Sequence, residues 1–154
     1  MSKEYLSDNF YLDEFKVSRD YPEIANAIVF TDEQKTNIEM LVKEALQVVR
    51  TYLGETVTIL SGVRSAELNK KIKGSKTSDH MIGAAADITS SKIQKDEKKY
   101  GFEIWTLLKS NALLKQVIYY PNDGFIHISI NTSGKKNKHE FLRSDNGKTY
   151  IKEG

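Results

Sequence analysis

The segment SKTSDHMIGAAADI, residues 75–88, does most to define the fold and the chemistry of this chain. His80 precedes Asp87 by seven positions, and only small residues fill the stretch from Gly83 to Ala86. On a single strand an odd spacing would direct the two side chains to opposite faces. Small residues instead allow the chain to turn back tightly. The pattern therefore predicts that both side chains converge on one point.

A second segment, FIHISI (residues 125–130), adds another polar side chain. By strand alternation its three isoleucines share the core face, whereas His127 lies on the opposite face. His80, Asp87 and His127 would together form a two-histidine, one-carboxylate set of the kind that binds catalytic zinc and leaves a fourth position to water. A lone histidine is more often a surface or hydrogen-bonded residue, and no short H-E-x-x-H signature is present. Residue types and spacing alone leave both interpretations open.

The rest of the sequence predicts an α+β fold. FTDEQKTNIEMLVKEALQVVRTYLG (residues 30–54) has the pattern of a long helix, with Thr31 as N-cap, Gln34 as capping-box partner and Gly54 at its end. Two further helices are expected in AELNKKI and DEKKYGFEIWTLLKSN, and strands in TVTIL, AADIT, KQVIYY and FIHISI. Turns are expected at PNDG and at Asn146-Gly147. We expect helices packed on a mostly antiparallel sheet, in a single domain over residues 1–154.

Composition excludes several classes of protein. The chain has 154 residues, of which 29% are charged, and its net charge is only +2, so no nucleic-acid partner is expected. It has no cysteine, so a metal would depend on His, Asp or Glu. No apolar run approaches the roughly 20 residues of a membrane helix, and no membrane insertion is expected. The start shows no apolar secretory segment.

The run ILSGVRSAELNKKIKGSKTSDHMIGAAADI (residues 59–88) resembles the zinc D-alanyl-D-alanine carboxypeptidases, a family that includes phage L-alanyl-D-glutamate endopeptidases. The shared features are a strand ending in S-G-x-R-S, then L-N, G-S and S-x-H-x-x-G-x-A-x-D. They are carried by Ser61, Gly62, Arg64, Ser65, Leu68, Asn69, Gly74, Ser75, Ser78, His80, Gly83, Ala85 and Asp87. GFIHISI resembles the strand with the last zinc histidine. NFYLDEFKVS (residues 9–18) and the long helix resemble the small phage-associated branch.

This resemblance implies a Hedgehog/DD-peptidase-like fold, one zinc ion on His80, Asp87 and His127, and hydrolysis of peptidoglycan stem peptides. The bond cut would be D-Ala-D-Ala or L-Ala-D-Glu. Arg64 would bind a substrate carboxylate or a developing oxyanion, unless it is a surface arginine. Ser78 would bind substrate or orient His80, and the alternative is a loop cap.

The general base is the point at which the sequence departs from the family. Many members have an acidic residue three positions before the last histidine, where this chain has Gly124. We predict that Asp123 serves instead, although Asp in PNDG is also a common turn former. Glu67 and Glu140 are the alternative bases. No catalytic role is assigned to the tyrosines of KQVIYY, and the basic loop SGKKNKHEF (residues 133–141) is expected to be a solvated turn or a contact with anionic wall polymer or a partner protein.

Without a secretory segment, a phage-type enzyme is expected. It would be made in the host cytoplasm and released to the cell wall, or carried in the particle with phage particle proteins as partners, and would be a monomer. Two other classes stay open. One is a non-catalytic zinc-binding structural or wall-binding protein of the same fold. The other is a metal-dependent nuclease, which the modest charge disfavours.

Overall fold

The structure, a computed structural model, describes residues 3–154 and contains one six-stranded sheet in the order β1-β2-β4-β3-β5-β6. The strands are β1 (Thr58–Ser61), β2 (Ala85–Thr89), β3 (Leu114–Tyr120), β4 (Phe125–Ile130), β5 (Glu140–Arg143) and β6 (Ile151–Lys152). Neighbouring strands are antiparallel except β3 and β5, which are parallel. The predicted α+β class with a mostly antiparallel sheet is confirmed.

Six α-helices accompany the sheet: α1 (Pro22–Asn26), α2 (Asp32–Leu41), α3 (Gln47–Leu53), α4 (Ala66–Lys71), α5 (Ser91–Lys95) and α6 (Glu97–Leu108). A π-helical turn, Val42–Leu46, joins α2 to α3, so the predicted long helix is confirmed. Its capping box is present, since the Gln34 amide donates to the Thr31 hydroxyl at 3.1 Å and the Thr31 amide donates to the Gln34 side chain at 2.9 Å. Among residues 3–154, no helix has the length and apolar character needed to cross a membrane.

One face of the sheet forms the hydrophobic core. Ile126, Ile128 and Ile130 are at most 1% exposed and pack with the helices, as the alternation of FIHISI predicts. The apolar stripe of α2, the π-turn and α3 covers this face together with α6. A fully buried aliphatic side chain of this size contributes roughly 1.5–3 kcal/mol to stability. The opposite face is therefore free to carry polar chemistry.

The register of three central strands assembles that polar face. Ser61 pairs with Asp87, and Asp87 pairs with His127 on the next strand. A bulge in β1 between Ile59 and Ser61 shifts the pairing there, which places Ser61 on the same side as Asp87. His127 in turn pairs with Ile118 of β3. The candidate site thus lies over the strands β1, β2 and β4.

Candidate metal centre

His80, Asp87 and His127 come together on the polar face. Each offers one ligand atom, and these atoms all lie within 4.8 Å of one another. Asp87 Oδ1 is 2.9 Å from His127 Nδ1 and 3.4 Å from His80 Nε2. One carboxylate oxygen therefore faces a nitrogen of each imidazole. Asp87 and His127 are fixed by the β2–β4 pairing, whereas His80 arrives from a separate turn.

The turn that carries His80, a 3₁₀ turn at Asp79–Ile82, is held at both ends. The Ser78 hydroxyl accepts a hydrogen bond from the His80 amide at 3.2 Å, and Gly83 ends the turn in the left-handed conformation, with φ 77°. His80 Nδ1 donates to the Gly62 carbonyl at 2.8 Å, which leaves Nε2 to face Asp87. Such a second hydrogen bond is what fixes the tautomer and ring orientation of metal-ligating histidines.

Residue 62 must be a glycine because the N-terminal segment packs directly against its backbone. A Cβ atom at Gly62 would lie 2.5 Å from the carbonyl oxygen of Phe15, well inside van der Waals contact. The Val63 amide donates to the same Phe15 oxygen at 2.9 Å. Only glycine permits this approach, so the motif S-G-x-R-S both admits the N-terminal segment and presents the carbonyl that orients His80.

Burial and charge shift the pKa of two members of the group, Asp87 and His80. Burial by itself would raise the pKa of the Asp87 carboxyl, but its interactions with His80 and His127 outweigh burial and hold that pKa well below its usual range. Burial lowers the pKa of His80, with Asp87 opposing the shift in part. A carboxylate and a neutral imidazole are the forms that ligate a metal.

This donor set fits zinc. Two imidazole nitrogens and one carboxylate oxygen are the ligand number and type of catalytic zinc sites. The side chain of His80 is only 3% exposed, whereas those of Asp87 and His127 are each 13% exposed. The group therefore reaches solvent on the side of Asp87 and His127, where a substrate could approach one bound ion.

Arg64 borders the group on that accessible side. Its Nη2 lies 3.8 Å from Asp87 Oδ2, and its Nε donates to the Ser61 hydroxyl at 3.3 Å. The guanidinium is largely buried, and burial lowers its pKa while Asp87 opposes the shift. The pKa of an arginine side chain lies so far above neutral that Arg64 keeps its positive charge despite its burial. A fixed cation thus sits beside the candidate metal ligands, where it could bind a carboxylate or an oxyanion.

Asn69 and Gly74 hold Arg64 in place, which explains two further positions of the motif. The Asn69 side chain accepts from Arg64 Nη1 at 3.5 Å and donates to the Ser75 carbonyl at 2.9 Å. A Cβ atom at Gly74 would lie 2.1 Å from Asn69 Oδ1 and 3.0 Å from Arg64 Nη1. The L-N and G-S positions therefore organise the loop around the arginine.

The remaining sequence-predicted residues are not members of the His80–Asp87–His127 group. Asp123 is exposed in the turn after β3, and its carboxylate has no hydrogen bond or ion pair among residues 3–154. Ser78 caps the His80 turn, the alternative role given to it. Glu67 is exposed on α4, and Glu140 accepts a hydrogen bond from Gln116. The roles of Asp123 as base and of Ser78 in substrate binding stay predictions.

Sequence reasoning missed a buried ion-pair cluster beside the centre. Lys115 Nζ lies 2.8 Å and 3.1 Å from the two oxygens of Asp79, and Lys135 Nζ lies 3.2 Å from one of them. Lys135 also donates to the Thr77 carbonyl at 2.7 Å. The cluster ties the turn of His80 to β3 and to the basic loop. The sequence signal for this cluster is Lys115 itself, a charged residue in the largely apolar strand LKQVIYY.

His139, the third histidine, takes no part in the metal group. Its Nδ1 and Nε2 each lie 2.8 Å from a backbone carbonyl oxygen, of Leu114 and Lys109 respectively. Its ring lies against Trp105, with 5.0 Å between the ring centroids. His139 is exposed, and its two contacts with backbone carbonyls anchor the segment before β5.

Comparison with known proteins agrees with this geometry. A family model described as Peptidase M15 matches residues 9–129, which include Arg64 and all three members of the metal group. No curated protein shows a significant match to the chain. M15 peptidases use zinc, and a histidine–aspartate–histidine cluster able to hold a metal ion is present here. The chain therefore belongs to the M15 family of zinc peptidases.

Proposed function

We propose that this protein hydrolyses peptide bonds in bacterial peptidoglycan stem peptides, as a D-Ala-D-Ala carboxypeptidase or an L-Ala-D-Glu endopeptidase of the phage endolysin type. The observation that carries the proposal is the position of Arg64, whose guanidinium lies 3.8 Å from Asp87 at the accessible side of the metal group. A substrate with a carboxylate near its scissile bond could pair with this cation. Both candidate bonds have such a carboxylate nearby, on the terminal D-Ala or on D-Glu.

The metal group supplies the hydrolytic chemistry. Zinc, when bound by His80, Asp87 and His127, polarises a carbonyl oxygen and lowers the pKa of water to about 7. Other residues of the chain position the reacting groups. The Gly62 carbonyl fixes the ring of His80, and Arg64 orients the substrate. Asp123, as the predicted base, would take a proton from the attacking water and pass it to the leaving amine.

The location of Asp123 bears on that last step. Gly124, with φ 71°, follows it, and the turn is anchored by a hydrogen bond from the Thr89 hydroxyl to the Gly124 carbonyl at 2.7 Å. Thr89 belongs to β2, the strand of Asp87, so this turn is attached to the strand of a metal ligand. That attachment supports a role for Asp123. Its exposure, and the absence of a hydrogen bond or ion pair to its carboxylate among residues 3–154, favour the second candidate function, a non-catalytic zinc-binding or wall-binding protein.

The proposed setting follows from the substrate. An enzyme of this kind would be released from a host cytoplasm to the cell wall or carried with phage particle proteins, and would act as a monomer. The exposed lysines of the basic loop, Lys136 and Lys138, support contact with an anionic wall polymer.

Digestion of purified peptidoglycan and defined stem peptides, with products identified by mass spectrometry, tests the proposal. Loss of one terminal alanine would identify a carboxypeptidase, and a cut after L-Ala would identify an endopeptidase. Either activity should vanish with a chelator and in His127→Ala. The matched control is His139→Ala, which removes a histidine outside the metal group. A zinc-loaded protein that cuts no stem peptide and no wall would instead favour the non-catalytic candidate.

A further inference from the structure

Tyr120 lies on the same face of the sheet as the metal group. It pairs with Phe125 across β3 and β4, and two positions back along the strand Ile118 pairs with His127. Because side chains two residues apart share a face, Tyr120 and Ile118 both point to the side of His127. Tyr120 is thus the diagonal cross-strand neighbour of His127, a relation in which a long aromatic side chain can reach its partner's surroundings.

The ring of Tyr120 is firmly held. Only 8% of the residue is exposed, and its ring stacks on Phe125 with 4.4 Å between centroids and 17° between planes. Ile118 and Leu142 complete the small apolar cluster around it. A tyrosine packed in this way has little rotamer freedom, so its hydroxyl is presented in a fixed direction.

The surroundings of the Tyr120 hydroxyl connect it to the metal group. Burial raises the pKa of this phenol well above its ordinary value, the negative charge of Asp87 raises it further, and Arg64 acts in the opposite sense. Whatever the shift, a tyrosine hydroxyl, with an ordinary pKa of about 10, keeps its proton near neutral pH and can act as a hydrogen-bond donor. Tyr150, a residue 49% exposed on the last hairpin, also raises the pKa of Tyr120, and its own hydroxyl donates to the Gly147 carbonyl at 3.4 Å.

A donor at this position could assist hydrolysis of a peptide bond. As water adds to the scissile carbonyl, its oxygen gains negative charge, and a neutral donor held in a buried position stabilises that charge without reorganising. We propose that the Tyr120 hydroxyl donates a hydrogen bond to this oxygen, alongside the guanidinium of Arg64. No proton is transferred. The inference rests on the proposed peptidase function and adds a substrate-contacting residue to it.

Tyr119 supplies a matched control on the same strand. Its side chain lies on the opposite, core face, and its hydroxyl donates to Glu153. Tyr119→Phe and Tyr120→Phe therefore remove the same atom from adjacent residues and leave both rings in place. Only the second change removes a hydroxyl from the face of the metal group.

Binding of a phosphinate analogue of the stem peptide to zinc-loaded protein, measured by calorimetry, tests the inference without turnover. A phosphinate carries the charge and shape of the hydrolytic intermediate. A hydrogen bond to a charged group is worth about 1.5–3 kcal/mol, so Tyr120→Phe should weaken phosphinate binding roughly 10- to 100-fold, whereas Tyr119→Phe should stay within about twofold of wild type. In peptide hydrolysis, Tyr120→Phe should lower kcat by a similar factor, with KM almost unchanged.

The possible results separate this inference from the proposed function. Equal phosphinate affinity in wild type and Tyr120→Phe would overturn the inference, as would failure of the zinc-loaded wild type to bind the phosphinate. Weakened phosphinate binding in a protein that cuts no stem peptide would support the tyrosine donor and overturn the proposed substrate.

Discussion

At the scale of single residues, Asp123 is the side chain whose role a substitution can decide most cleanly. If it is the general base, Asp123→Asn should lower turnover of the cleaved stem peptide about 10²- to 10⁴-fold while zinc affinity stays unchanged. The measurement is a steady-state rate on one defined peptide, with bound zinc quantified in the same samples.

The control for Asp123→Asn is Asp145→Asn, which changes an exposed aspartate in the turn between β5 and β6. Asp145 Oδ1 lies 3.5 Å from Arg143 Nε. Turnover unchanged in Asp123→Asn would remove this residue from the mechanism. Glu67→Gln and Glu140→Gln, tested next, would then show whether either alternative acid is required.

Some site residues could be predicted from sequence and others could not, for a physical reason. His80, Asp87 and Arg64 belong to one continuous motif, and His127 follows from strand alternation. The Asp79–Lys115 pair joins residues 36 positions apart, and nothing local to either residue specifies the other. Tyr120 was left without a role because alternation gives its face but not the burial and charge around its hydroxyl.

At the scale of elements, Gly83 connects the turn of His80 to helix α2. Its φ is 77°, and a Cβ atom there would lie 2.6 Å from the Gln34 carbonyl oxygen at the start of the helix. Gln34 and Asn37 also donate to the carbonyls of Met81 and Ile82, at 2.9 Å and 2.8 Å. Gly83→Ala should therefore destabilise the protein by more than the roughly 1–2 kcal/mol that a left-handed conformation alone costs.

Gly54→Ala is the matched comparison for Gly83→Ala in urea unfolding. Gly54 also has a positive φ, of 68°, but a Cβ atom there would meet nothing within 4 Å. Gly54→Ala therefore measures the conformational cost alone. Gly83→Ala should reduce the free energy of unfolding clearly more than Gly54→Ala does. Equal losses in the two variants would show that the contact between the turn and α2 is easily relaxed.

Helix α5 provides a test of pH dependence outside the metal group. Glu55 accepts a hydrogen bond from the Lys92 amide at 2.8 Å, and this bond, helped by Ser90, lowers the pKa of the Glu55 carboxyl. A depressed carboxyl pKa adds stability at pH values above the unfolded pKa of about 4.3, and that stability is lost as the pH falls through the folded pKa.

The melting temperature of Glu55→Gln should therefore lie below that of wild type at pH 7, and the difference should shrink as the pH is lowered below about 4. Glu97→Gln, which removes a half-buried carboxylate in the first turn of α6, controls for the change in net charge. A difference between wild type and Glu55→Gln that does not vary with pH would contradict the assignment.

Elements with a local signal could be predicted, and those that depend on distant partners could not. The capping box at Thr31, the stop at Gly54 and the turn at PNDG each depend on a few adjacent residues, and all are present. Strand β1 was expected at residues 56–60 and lies at Thr58–Ser61, since its bulged pairing with β2 sets the end. The parallel pairing of β3 with β5 has no signature in either strand.

At the scale of the whole molecule, a bound zinc ion would join parts of the chain that are distant in sequence. His80 lies on a turn packed against α2, Asp87 on β2 and His127 on β4. An ion that binds the folded state alone stabilises it by about 2.7 kcal/mol when free zinc is at 100 times Kd. Zinc should accordingly raise the melting temperature of the chelator-stripped protein, and should not do so in His127→Ala.

Calorimetric titration of chelator-stripped protein with zinc tests the central claim most directly. Wild type should bind one zinc ion per chain, and His127→Ala should lose that binding. His139→Ala should keep it, because the His139 ring nitrogens bond to backbone carbonyls and its ring lies against Trp105, outside the metal group. Absence of zinc binding in wild type, or an affinity unchanged in His127→Ala, would contradict the assignment of His80, Asp87 and His127 as the metal centre.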